Sequence, residues 1–84
     1  MASTVLGWNF DQFEDDNGKH VEFARLYVLG EFPPDKETSG QMCEVLKIKP
    51  DDLSELIQGQ GLALGQVVQE WYYDKYRNVI GFKE

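Results

Sequence analysis

Asn17-Gly18 stands between two runs of residues that alternate in character at every second position. An Asn-Gly pair between such runs is the strongest short-range hairpin signal, because both residues accept the turn's unusual backbone angles. Before it, from Thr4 to Phe13, Leu6, Trp8 and Phe10 alternate with Gly7, Asn9 and Asp11. After it, from Val21 to Gly30, Ala24, Leu26 and Val28 form one face and Phe23, Arg25 and Tyr27 the other. A period of two belongs to strands and not to helices. The chain therefore opens as an antiparallel pair.

The remainder continues in the same key. Phe32 to Gly40 has two prolines, a glycine and small polar residues, and reads as a loop. A third strand follows from Gln41 to Lys49, with Met42, Glu44, Leu46 and Ile48 on one face and Cys43, Val45, Lys47 and Lys49 on the other. Pro50 to Ile57 reads as a short helix: proline in the first turn, then Asp51 and Asp52, then Leu53, Leu56 and Ile57 at helical spacing. Gly59 and Gly61 stop it. Gln66 to Tyr73 is rich in strand formers, Asp74 to Asn78 is a turn, and Val79 to Phe82 is a fifth strand. With 84 residues the chain makes one domain, residues 1–84. It is too small for a two-sheet sandwich, and closing the sheet removes exposed edges. The expected fold is mostly β: a five-stranded barrel of the oligonucleotide-binding type, with one short helix between strands three and four. An SH3-like barrel is the second choice.

Composition narrows the function by exclusion. One histidine, His20, stands beside the hairpin turn, and no spacing pairs it with Ser3, Ser39, Ser54 or Cys43 as nucleophile and base. Glu14, Asp15 and Asp16 lack the pattern of a calcium loop. The glycine-rich stretch Gly59 to Gly65 lacks the phosphate-loop lysine. The expectation is no enzyme, no metal, no cofactor and no small-molecule substrate. A single cysteine, Cys43, cannot form an internal disulfide, which fits a reducing compartment. The first residues lack a basic start followed by an apolar run, and no stretch approaches the roughly 18 apolar residues of a membrane span. Cytoplasmic location without membrane contact is the expectation.

Net charge is −7, from 15 acidic and 8 basic residues, which opposes non-specific attraction to polyanions. The acids, however, cluster in loops and the helix: Asp11 to Asp16, Glu31 to Glu37, and Asp51 to Glu55. Arg25, Lys47, Lys49, Lys75 and Arg77 lie on or beside the strands. If Leu26 and Val28 point inward, Phe23, Arg25 and Tyr27 make an outward aromatic–basic–aromatic stripe. Aromatics stack on bases and an interleaved arginine contacts phosphate, so such a stripe suits a single strand of nucleic acid. The same residues also suit packing under a loop or a partner. In the closing hairpin, Trp71, Tyr72, Tyr73 and Tyr76 stand beside Lys75 and Arg77. Alternation sends some of these aromatics to the core and leaves Tyr76 and Arg77 in the turn.

Two segments resemble a known family. Asp16-Asn17-Gly18-Lys19 running into Leu26-Tyr27-Val28, and Leu64 to Val68 followed by Tyr72 to Phe82, are similar to small single-stranded-DNA-binding proteins of the gene V type from phages, plasmids and conjugative elements of Gram-positive bacteria. The resemblance covers about Gly18 to Phe82. It implies a homodimeric five-stranded barrel that serves DNA replication by binding single-stranded DNA without regard to sequence. The residues so nominated are Arg25, Tyr27, Lys75, Tyr76 and Arg77; the outward stripe and the basic residues beside the strands add Phe23 and Lys47 as candidate nucleic-acid contacts. That family's closing turn commonly has glycine where this chain has Arg77. The stretch from Gly65 to Tyr72 is one residue longer, which requires a β-bulge. The competing expectation from charge is a protein-interaction module or small oligomeric accessory protein, including an acidic mimic of DNA.

Overall fold

The computed structural model describes residues 2–30 and 39–84. Most of the loop expected between Phe32 and Gly40, with the acids Glu31, Asp35 and Glu37, lies outside the described residues. Within them the chain forms β1 (Ser3–Glu14), β2 (His20–Gly30), β3 (Met42–Ile48), α1 (Pro50–Gln58), β4 (Val67–Val68), β5 (Glu70–Tyr73) and β6 (Val79–Lys83). The sheet order is β4-β1-β2-β3-β6-β5.

The strand count is six, where the sequence led to five. The expected fourth strand from Gln66 to Tyr73 is broken at Gln69. Before the break, Val67 and Val68 pair with Thr4 and Ser3 of β1. After it, Glu70 to Tyr73 pair with β6, and Gln69 itself donates its backbone N–H to the Lys83 carbonyl at 2.8 Å. One short stretch thus joins the two ends of the sheet and brings it to near closure. Within the β5–β6 pair the register shifts between Tyr72 and Tyr73, which pair with Gly81 and Val79 and leave Ile80 of β6 as the bulged residue. The remaining seam is the parallel contact between β3 and β6, a single pair at Ile48 and Val79. The result is a nearly closed barrel with one short helix between β3 and β4, the class expected from the sequence.

The interior follows β2. Ala24, Leu26 and Val28 are buried, as the alternation required, and Leu26 is fully inaccessible. β3 contributes Ile48, β6 contributes Val79, and α1 inserts Leu53 and Leu56 into the same cluster. Trp8, Leu46, Trp71 and Phe82 pack around it. One face assignment changes. A bulge between Val5 and Gly7 takes Leu6 off the face of Trp8, so Val5 is buried and Leu6 is about half exposed. Beyond Phe10, β1 and β2 run on as a two-stranded ribbon, and Phe10 and Phe13 are half exposed. The helix starts at Pro50, where proline has no N–H to leave unsatisfied, and ends where Gly59 donates its N–H to Glu55.

The two hairpins share one turn design. In the first, the Asp15 side chain accepts the N–H groups of Asn17 and Lys19 at 2.9 and 2.8 Å, and Gly18 sits at φ +77°. In the second, Asp74 accepts the N–H groups of Tyr76 and Asn78 at 2.8 and 2.9 Å, and Arg77 sits at φ +66°. This is a three-residue loop with a left-handed last residue, chosen by the aspartate, and not the two-residue turn that Asn-Gly alone implies.

Candidate nucleic-acid interface

The outer wall of the barrel is built from cross-strand rows. Asn9, Arg25 and Lys47 make one row; Gly7, Tyr27 and Val45 make the next. Because Ala24, Leu26 and Val28 are buried, Phe23, Arg25 and Tyr27 face outward together. On this wall an open cleft of about 440 Å³ is lined by Phe13, Phe23, Arg25, Lys47, Lys49 and Asn78, together with one carboxylate, Glu22. Of the residues nominated from the sequence, this cleft gathers Phe23, Arg25 and Lys47. Tyr27 lies one row along the same wall.

The aromatic groups are not equivalent. The Arg25 guanidinium lies over the Phe23 ring, 4.6 Å from its centre. Phe13 meets the edge of that ring at 5.8 Å. Phe23 is therefore a support for Arg25 more than a bare platform. Phe13, half exposed, offers the open ring of the pair. Phe13 and Asn78 were not nominated from the sequence, and Lys49 was singled out there only as one of the basic residues on or beside the strands. Phe13 pairs with Val21, which sets it diagonally from Phe23, and only the strand register makes that visible.

Lys75, Tyr76 and Arg77 sit on the tip of the closing turn, outside the cleft lining. The tip adjoins the cleft through Asn78, which lines it, and through Asp74, which feels the charge of Lys49. The Lys75 ammonium lies 5.1 Å from the centre of the exposed Tyr76 ring. The Asp74 carboxyl is held below the usual carboxylate range. The Asn78 N–H is the largest lowering cause, joined by the Tyr76 N–H, the Asn78 side-chain amide and Lys49. A depressed carboxyl stabilises the fold at pH above its ordinary value and loses that contribution as pH falls through the depressed one. The Tyr76 and Asn78 amide resonances should therefore shift together on acidification, with a midpoint below that of an ordinary aspartate; titration at or above the ordinary value would show that these bonds do not form.

Arg77 occupies the position that Gly18 fills in the sister turn. A left-handed backbone costs a residue with a Cβ about 1–2 kcal/mol that glycine does not incur. Arg77→Gly should accordingly leave the protein as stable or more so, by up to about 1 kcal/mol, in urea unfolding. Lower stability would mean that the arginine side chain supports the fold.

His20 and Cys43, the only residues of their kinds, are both exposed on the surface; the His20 Nε2 lies 3.3 Å from the Glu22 carboxylate. No protein family, no curated protein and no solved structure matches the chain.

Proposed function

We propose that this barrel binds single-stranded nucleic acid, DNA in the first instance, with little regard to sequence. The observation that carries the reading is the content of the cleft. In a chain of net charge −7, three cations, Arg25, Lys47 and Lys49, against a single carboxylate, Glu22, line a cleft that also holds two phenylalanines. None of the three is within ion-pair distance of a carboxylate among the described residues. Their charge is available to an external anion. Bases stack on aromatic rings of any sequence, and phosphates take the cations. The resemblance of the second strand and the closing hairpin to gene V-type proteins supports the same reading and a role on phage or plasmid DNA during replication.

The test is a titration of fluorescently labelled oligo-dT. Binding should be about micromolar per subunit at physiological salt, because the acids elsewhere on the surface oppose it. With few phosphates neutralised at roughly 0.7 each, log affinity should fall with log salt at a slope of roughly −2 to −3. Absence of binding at about 20 mM salt, where screening is weakest, would overturn the proposal in favour of a protein-interaction module.

A further inference from the structure

The β1 edge that faces away from β2 is only partly used. β4 covers Ser3 and Thr4, and Val5 bonds to Gln66 and Gly65. From Gly7 to Glu14 no strand covers that edge among the described residues. Open edges of this length attract other strands, and proteins usually blunt them with lysine, proline or a bulge. Residues 7–14 contain neither lysine nor proline, and the bulge lies before them.

We propose that this edge is the interface with a second copy of the chain, whose own Gly7–Glu14 adds to it antiparallel. The choice of occupant follows from the complement that the segment carries within itself. A two-fold axis between antiparallel strands stands perpendicular to the sheet and preserves its faces, so one residue must oppose itself. With Phe10 at the centre, Trp8 opposes Gln12, Asn9 opposes Asp11 and Gly7 opposes Phe13. No carboxylate then faces another, and like charges directly opposite would be unfavourable. A centre at Asp11 sets two carboxylates against each other. A centre at Asn9 drives Phe13 onto Val5, whose edge is already taken, and a centre at Gln12 leaves Gly7 and Trp8 without partners. The Phe10 register also gives the half-exposed rings a place. Phe10 packs against its own copy, and Phe13 lies over Gly7, where a Cβ would meet nothing within 4 Å. The axis keeps the outer walls of both copies on one side, so the two clefts form a single continuous surface. The pairing itself does not depend on what those clefts bind.

Sedimentation equilibrium at tens of micromolar, without nucleic acid, should show a dimer. Gly7→Val has room in the single copy but fills the space that Phe13 needs. Phe10→Glu places two carboxylates at the axis from an already exposed position. Both variants should sediment as monomers at the same loading with an unchanged far-ultraviolet circular dichroism spectrum. A monomeric wild type, or a dimer that both substitutions leave intact, overturns the proposal. The oligo-dT titration is a separate measurement, so failure there and failure here are distinguishable.

Discussion

Leu26→Ala should lower the free energy of unfolding by about 2–5 kcal/mol, the range for removing a fully buried leucine and leaving a cavity. Leu26 is the central inward residue of β2 and is wholly inaccessible. It pairs with Trp8 on one side and Leu46 on the other. It belongs to the same cluster as Leu53 and Leu56 of the helix, so the cavity would open where barrel and helix meet. Both neighbours are anchored by strand pairing and cannot easily close the gap. A domain of this size has a total stability of roughly 5–15 kcal/mol, near the lower end because little surface is buried. The loss should therefore move the urea midpoint far down at constant slope. Tyr27→Ala, one position along but facing outward and only partly buried, should cost much less. Equal losses at the two positions would contradict the assignment of faces.

That assignment was legible because the β2–β3 pairing has no register shift and the burial alternates from Phe23 to Val28, separating Ala24, Leu26 and Val28 from Phe23, Arg25 and Tyr27. The helix was legible from Pro50 and the spacing of Leu53, Leu56 and Ile57. What alternation could not show is where it is interrupted. The bulge at Leu6 and the break at Gln69 are decided by closure, since a strand that must pair with β1 and then with β6 has to change direction between them. Between Val67 and Tyr73 only Gln69-Glu70 interrupts the strand formers, and a polar pair of that kind reads equally as the exposed positions of one continuous strand. The site was half legible for a related reason. Phe23, Arg25 and Tyr27 share a strand, so their common face follows from spacing alone. Phe13, Lys49 and Asn78 reach the cleft from three different elements, and their meeting depends on register and on the packing of the closing turn against the start of α1. Arg77 is a third case. Aspartate three residues ahead of it in Asp74-Lys75-Tyr76-Arg77-Asn78 repeats the arrangement of Asp15 and Gly18, and the repetition could be read in the sequence once the first turn was understood.

Reversing Arg25 and Lys47 together, Arg25→Glu with Lys47→Glu, should weaken oligo-dT binding by roughly two orders of magnitude or more at low salt. The two residues are cross-strand partners in the middle of the outer wall, and both line the cleft. A hydrogen bond to a charged group contributes about 1.5–3 kcal/mol, so losing two such contacts costs about 3 kcal/mol at the least. At about 1.4 kcal/mol per decade that is about a hundredfold. The new carboxylates then repel the strand on top of that loss. The salt slope should become shallower by about 1.4, two phosphates at roughly 0.7 each. The fold should survive, because both side chains are exposed and neither is ion-paired among the described residues. Two neutral substitutions separate charge from stacking. Phe13→Ala removes the open ring and should cost about 1–3 kcal/mol with the slope unchanged. Phe23→Ala takes away the surface on which the Arg25 guanidinium rests, so it should lower affinity and slope together. If the double reversal binds oligo-dT as the wild type does while keeping its fold, the cleft is not where the strand lies.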